Sequence, residues 1–347
     1  MAESFRPETP DQVRDAVAWA VAEETPVEVV SGASKRSMGR PSNAERRVDV
    51  SALRGITLYE PEELVLSAGP GTPLADIEQA LAERRQQLAF EPPDLGPLLG
   101  GAAGAGTLGG AIACNLSGPR RLKAGAARDH FLGFSAVSGR GEAFKSGGRV
   151  VKNVTGYDLS KLMCGSWGTL GVMTLLTVKV LPAPESIRTV LLFGLGPAEA
   201  GAAMTAAMKT PYEVSGAAHL PAGLAAGSAV SHVSGAGRAV TAIRVEGPSP
   251  SVAYRCAALR SQLGGPGETE ELHSSNSVRF WSELRDVSPF AAAGDARCVW
   301  RISVPPKSGA QVMQRLIAGT GGEAYLDWGG GLVWLAVDAP IDAMHET

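Results

Sequence analysis

The chain has 347 residues, of which 44% are hydrophobic and 19% charged, and a formal net charge of −3. That is an ordinary globular composition, long enough for about two domains. It carries no basic stripe with interleaved aromatics, which argues against a nucleic-acid partner. The four cysteines, Cys114, Cys164, Cys256 and Cys298, form no C-x-x-C pair, and the five histidines show no metal-ligand spacing.

The N-terminus lacks the apolar core of a signal peptide, and no run of 18 apolar residues is present. A cytoplasmic location without a membrane span is therefore expected, leaving open peripheral contact with the inner membrane through partners. Thr9 reads as an N-cap and Pro10 as the first residue of a helix whose stripe is Val13, Ala16, Val17, Ala20 and Val21. Pro26 ends it. Val27–Val30 reads as a buried strand running into Ser31-Gly32-Ala33-Ser34-Lys35-Arg36. Val48–Val50 and Leu64–Ser67 read as short strands, and Thr72-Pro73 opens a second helix through Leu74, Ile77, Ala80 and Leu81.

From Gly100 onward, Gly-rich turns alternate with β-like runs at Ala111–Cys114, Phe131–Val137, Arg149–Val151 and Val172–Leu181. Pro182-Ala183-Pro184-Glu185 then marks the expected boundary between domains 1–182 and 183–347. In the second half, strands are expected at 187–193, 239–245, Val299–Val304 and Leu332–Val337. The Ala-rich stretch 197–229 reads only as compositional bias.

Glycine is in excess, at 43 residues, and the excess concentrates between Gly96 and Gly171; three segments there and upstream have the makings of a phosphate cradle. The first is the Ser31–Arg36 loop, whose small residues let successive N–H groups converge on an anion. The second, Gly104-Ala105-Gly106-Thr107-Leu108-Gly109-Gly110, contains a literal G-x-G-x-x-G. A dinucleotide fingerprint of that kind needs a strand before it and a long helix after it. The preceding segment has no β-branched residue and the following one breaks at Gly118-Pro119, so that reading fails on context. The third is Gly165-Ser166-Trp167-Gly168-Thr169-Leu170-Gly171-Val172. Backbone at such a strand entrance can lie flat against a ring, but for this segment alone a simple turn is the better reading.

In this order, SGASKRSMG, GTLGGAIACNLSG, ARDHFLG and GSWGTLGVMT resemble the FAD-binding domain of the vanillyl-alcohol-oxidase, or PCMH, type over about residues 7–182. With VVKNVTGYDLSKLMCGS (150–166), EPPDLG, SGPRR, VWRISVP and DWGGGLVWL, the chain is similar to a family of FAD-binding subunits of bacterial glycolate oxidases. That resemblance implies an α+β fold: a two-subdomain FAD-binding domain, then a smaller α+β cap domain with an antiparallel sheet on the substrate side.

It also implies an FAD-dependent oxidoreductase acting on glycolate or a related small 2-hydroxy acid. Its partners would be a second FAD-containing subunit and an iron–sulfur subunit. A stand-alone D-2-hydroxy-acid dehydrogenase and a non-catalytic assembly subunit are the alternatives. Relatives extend to a D-P-x-G-x-F-N-P-G-R type segment, whereas this sequence ends at His345-Glu346-Thr347, so a truncated second domain is expected. No histidine stands in the first loop, where some relatives bond the flavin, so FAD is expected to bind non-covalently.

The resemblance assigns the cofactor to Ser31, Gly32, Ala33, Ser34, Lys35, Arg36, Pro93, Gly106, Thr107, Gly109, Gly110, Ser117, Gly118, Gly168, Thr169, Gly171 and Val172. Backbone amides of Gly32–Arg36 and Gly106–Gly110 would meet the diphosphate, and Pro93 would shape the wall near the isoalloxazine. A 2-hydroxy-acid oxidation further needs a cation for the carboxylate and a base for the hydroxyl proton. Arg301, alternating with Trp300 and Ile302, is the carboxylate candidate, set against its reading as a surface arginine. Tyr157 and Lys152 are candidates for polar contact near the ring, set against a tight turn satisfied by Asn153, Thr155 and Asp158. Arg128 and Asp129 read as a local ion pair.

Overall fold

Thr9 caps the first helix as its sequence predicts, its side chain accepting the Gln12 N–H at 3.3 Å. That helix, α1 (Pro10–Ala22), buries Val13, Ala16, Val17 and Ala20. The computed structural model describes residues 3–39, 42–148, 156–264, 268–292 and 295–338. The chain divides into two compact units. One holds the chain up to Ser117 together with Gly125–Ala183; the other holds Gly118–Ala124 and the chain from Pro184 onward. The segment 118–124, which sequence alone leaves inside the first domain, therefore belongs to the second unit.

The first unit contains two main sheets. Strands β1 (Glu3–Phe5), β2 (Val27–Val30) and β3 (Arg46–Asp49) form a parallel sheet in the order β1-β3-β2. Alongside it, Val13 and Val17 of α1 share a core with Val48, Val50, Val137 and Val172. The second sheet is antiparallel, in the order β4-β5-β9-β7-β8. Its strands are β4 (Ile56–Glu60), β5 (Val65–Ala68), β7 (Phe131–Ser138), β8 (Ala143–Gly147) and β9 (Gly171–Lys179). A short ribbon pairs β6 (Gln86–Gln87) with β10 (Leu181–Pro182). Helix α2 (Leu74–Ala82) buries Leu74, Ile77 and Leu81 in the core that also holds Leu66, Phe90 and Leu176.

One β-like expectation in this unit fails. Ala111–Cys114 is not extended: Leu108–Ala113 is a short helix, α3, because Thr107 Oγ1 accepts the Gly110 N–H at 3.2 Å and caps it. Arg149–Val151 lies outside the described residues.

The second unit is built on a seven-stranded antiparallel sheet of order β14-β11-β13-β12-β16-β17-β15. Its strands are β11 (Ser186–Phe193), β12 (Val214–Leu220), β13 (Val240–Gly247), β14 (Thr269–His273), β15 (Cys298–Ser303), β16 (Glu323–Asp327) and β17 (Leu332–Val337). Helices Pro197–Met208, Ser249–Leu263 and Gly309–Thr320 contribute Met204, Val252, Leu259 and Met313 to a core with Val190 and Ile243. On the other side of β11, Thr189 accepts the indole N–H of Trp281 at 2.8 Å.

The Ala-rich stretch is therefore more than bias: it supplies two helices, Pro197–Met208 and Ala222–Ala226, and the strand β12 between them. That strand hides from pattern reading because all seven of its residues are buried, so nothing alternates. Gly216 is required there, since a Cβ would stand 2.9 Å from the Trp281 ring.

His219 on β12 is 1% exposed and shares a 2.9 Å hydrogen bond with Thr241 Oγ1. Burial lowers its pKa from 6.5 to about 4. Between those values the unfolded chain binds the proton more readily. Stability is thus full above pH 6.5 and falls as pH drops toward 4, by about 3 kcal/mol at most. Denaturant titrations of wild type and His219→Gln between pH 7 and 4 are expected to show a flatter acid limb in the variant. Parallel limbs would assign the loss to other groups.

Candidate active site

β2 delivers the chain into the Ser31–Arg36 loop. There the N–H groups of Gly32, Ala33, Ser34 and Lys35 have no hydrogen-bond partner among the described residues. Ala33 holds φ 52, in the left-handed region that favours glycine, as in the concave turns that gather successive amides around an anion. The Ser31 hydroxyl is buried without a partner among the described residues. Lys35 Nζ donates to Ser34 Oγ at 3.2 Å. Desolvation lowers the Lys35 pKa, with Cys114 and Asp94 acting in the opposite direction.

Gly32 fixes how this loop meets the next one. A Cβ on it would stand 2.2 Å from the Ala105 carbonyl oxygen. The Gly106–Gly110 segment is in turn strapped to the turn 70–73 and the first residue of α2. Leu74 N–H donates to Gly106 O at 3.0 Å, Leu108 N–H to Thr72 O at 3.0 Å and Gly109 N–H to Pro70 O at 2.9 Å. With Gly110 N–H held by Thr107, three amides assigned to the diphosphate are already taken, and this corrects the sequence expectation. Gly109 and Gly110 act as wall instead: a Cβ on Gly109 would lie 2.7 Å from Pro70, and one on Gly110 would lie 3.6 Å from Lys35 Nζ.

The third loop closes the groove. Gly165 N–H donates to Ile112 O and Trp167 N–H to Ala113 O, at 3.1 and 2.9 Å, tying this loop to the end of α3. A Cβ on Gly168, at φ 79, would come within 3.1 Å of Val29. Thr169 Oγ1 donates to Ser166 O at 2.6 Å, while the Ser166 hydroxyl is buried with no partner among the described residues.

Together the three loops enclose a groove of about 390 Å³, lined by Ser31–Arg36, Thr107, Gly109, Gly110, Gly168, Thr169 and Gly171. Trp167 and Cys114 line it too, and sequence reasoning missed both. Trp167 was legible within the GSWGTLG motif, but only its backbone drew attention. Burial pushes the Cys114 thiol up to about 11, with Lys35 opposing, so the thiol stays protonated.

The remaining assigned residues lie elsewhere. Pro93 and Gly106 are buried off the groove, and the Val172 side chain belongs to the small core around α1. Ser117 Oγ accepts the Ala127 N–H at 2.9 Å. Gly118 lies in the second unit, where its carbonyl accepts the Trp328 indole N–H at 3.1 Å. Asp129 turns to accept the Ala126 N–H at 2.9 Å, and no ion pair with Arg128 is found among the described residues.

Of the catalytic candidates, Tyr157 is 90% exposed, so its ring offers no enclosed polar contact. Beside it Asp158 caps the helix Leu159–Met163 and pairs with Lys161 at 3.2 Å, as a turn-forming role requires. Lys152 lies outside the described residues. Arg301, on β15 of the second unit, packs against Trp328. Among the described residues no group of three His, Cys, Asp or Glu converges as a metal site, and no helix is long and apolar enough to cross a membrane.

Residues 2–147 match the family described as FAD binding domain. The glycolate oxidase subunit GlcE of Escherichia coli (strain K12) is 37% identical over 328 residues, covering 94% of this chain and 80% of that one. The glycolate oxidase subunit GlcD of Bacillus subtilis (strain 168) is 37% identical over 130 residues, 38% of this chain but only 26% of that relative. Among solved structures, p-cresol methylhydroxylase with substrate bound superposes with a TM-score of 0.69 at 13% identity, covering 96% of this chain and 74% of that one. That likeness shows the PCMH-type fold.

The groove fits the cofactor these matches call for. Among the described residues, four consecutive free amides and a half-buried lysine suit a diphosphate, and two unpartnered buried hydroxyls await acceptors or donors.

Proposed function

Because this chain belongs to the GlcE family of glycolate oxidase subunits, a branch of the PCMH-type FAD-binding proteins, we propose that it is the FAD-binding subunit of a glycolate-oxidising complex. The observation that carries this reading is the set of unpaired amides of Gly32–Lys35 at the mouth of β2. Flavin, when bound, supplies the acceptor for two electrons from an alcohol carbon. The protein's part is to hold and orient. The amides of Gly32–Lys35 and the Lys35 ammonium would neutralise the diphosphate, and the Ser31 and Ser166 hydroxyls would take up polar edges of the cofactor. Held this way, FAD is bound without a covalent link.

A second FAD-containing subunit and an iron–sulfur subunit complete the proposed assembly, and glycolate or a similar small 2-hydroxy acid is its substrate. An anaerobic visible absorption spectrum of the purified chain tests this. Flavin bands are expected before glycolate is added. Bleaching by glycolate would place the oxidation step on this chain, and bleaching only after the partner subunits are added would give it an electron-relay role. A spectrum without flavin bands would overturn the reading.

A further inference from the structure

Two guanidinium groups of the second unit converge on one indole. Arg301 stands on β15 opposite Trp334, with Cζ 4.9 Å from the centre of the Trp328 ring. Arg121, in the helical turn Arg121–Ala124, places its Cζ 4.4 Å from the same centre. The two cationic carbons are thus no further apart than the sum of those distances. Desolvation lowers the Arg301 pKa first and the neighbouring Arg121 charge second, with Asp327 opposing.

Neither guanidinium forms an ion pair with a carboxylate among the described residues, in contrast to other arginines of the same unit. Arg188 pairs with Glu271 at 2.9 Å, Arg120 with Glu246 at 2.9 Å, and Arg297 with Asp295 at 2.8 Å. Yet both remain reachable: Arg301 keeps an exposed surface and Arg121 is half-buried.

The indole they share is fixed by its surroundings. Trp328 is 6% exposed and holds φ 53, and Gly329 and Gly330 follow at φ 63 and 96. Its backbone N–H donates to Asp327 Oδ1 at 2.6 Å and its ring N–H to Gly118 O at 3.1 Å. A large side chain in the left-handed region is strained and persists only where its neighbours over-determine it; such strain gathers at ligand sites. A flat ring also pre-orients the guanidinium planes that stack on it and shields them from water.

We propose that Arg121, Arg301 and Trp328 form a clamp for the carboxylate of a small 2-hydroxy acid, an inference that rests on the glycolate reading above. A carboxylate presents two acceptor oxygens that match a guanidinium fork, and one anion between two unpaired cations relieves their repulsion. Arg121 comes from the 118–124 segment, so this segment's place in the second unit gains a purpose: it brings the second cation to the ring.

The test is calorimetric titration of the full chain with glycolate, with the neutral amide glycolamide and with inorganic phosphate. Glycolate is expected to bind, while glycolamide and phosphate bind at least tenfold more weakly. Arg121→Gln and Arg301→Gln are each expected to weaken glycolate roughly ten- to a hundredfold with flavin content and melting temperature unchanged, and the lysine variants to fall in between. Trp328→Leu should weaken it as well.

Glutamine variants that bind glycolate within twofold of wild type would overturn the clamp, as would glycolamide or phosphate binding as tightly as glycolate. Because the clamp lies wholly within the second unit, its failure is separable from failure of the cofactor reading. Flavin retained without glycolate binding sinks the clamp alone. Glycolate binding without flavin sinks the cofactor assignment and supports the clamp.

Discussion

Glu246→Ala is expected to destabilise the second unit by about 3–5 kcal/mol, the cost of stripping a buried ion pair of one partner. Arg120 donates to the Glu246 carboxylate through Nε at 3.0 Å and Nη2 at 2.9 Å, and Arg244 Nε lies 3.8 Å away. Arg120 and Arg244 are 9% and 1% exposed. Arg244 is further held by the Ser215 hydroxyl and carbonyl, at 3.2 and 3.0 Å, and by the Trp281 ring at 4.7 Å. Both would keep their charge in the variant but lose the carboxylate that offsets it. Urea unfolding of the variant measures the loss; a change under about 1 kcal/mol would mean that water or another acceptor substitutes.

The same group sets an acid limit. Burial alone would raise the Glu246 carboxyl, but the Arg244 charge, the hydrogen bond and charge of Arg120, and a hydrogen bond from Ser215 outweigh it and hold the pKa at about 2, against an ordinary 4.5. Its stabilisation is therefore full above pH 4.5 and is lost as pH falls through about 2. Since Arg120 anchors the segment that carries Arg121, Glu246→Ala should also expose residues 118–124 to protease and weaken the proposed clamp.

Local signals carried most of what the sequence revealed. Thr9-Pro10 marks a helix start because the cap and the missing proline N–H act within one turn, and the valine-rich run Val27–Val30 marks a strand because β-branched side chains favour extended backbone. The Ser31–Lys35 loop was legible for the same reason: small residues after a strand leave the backbone open to a ligand. What stayed hidden depends on distant partners. The Arg120–Glu246 pair spans 126 residues, so nothing near Arg120 in the sequence points to its partner. Arg301 stood out on its alternating strand, but the arginine that shares Trp328 with it could not. Gly109 and Gly110 were recognised as special, yet their role as wall rather than donor follows from Pro70 and Thr107, and no motif records where those partners fall.

Gly32→Ala is expected to weaken FAD binding roughly a hundredfold while leaving both units folded. The added methyl would stand 2.2 Å from the Ala105 carbonyl oxygen and 3.2 Å from Thr107 Cγ2. The first neighbour is backbone, and its segment is tied down where Gly106 O accepts the Leu74 N–H. The Ser31–Arg36 loop is held by fewer bonds, so it is the side that must yield. A shift there displaces four amides together, and charge-assisted hydrogen bonds lose strength steeply with misalignment.

Gly110→Ala is the matched control on the facing wall. Its methyl meets only the Thr107 hydroxyl at 3.3 Å and the mobile end of Lys35 at 3.6 Å, so a loss of a few-fold is expected. Dissociation constants from quenching of flavin fluorescence decide between them. If Gly32→Ala held FAD within threefold of wild type, the cradle would lie elsewhere in the unit. If both variants lost it equally, the groove would be recognising the cofactor by its shape and not by the Gly32–Lys35 amides.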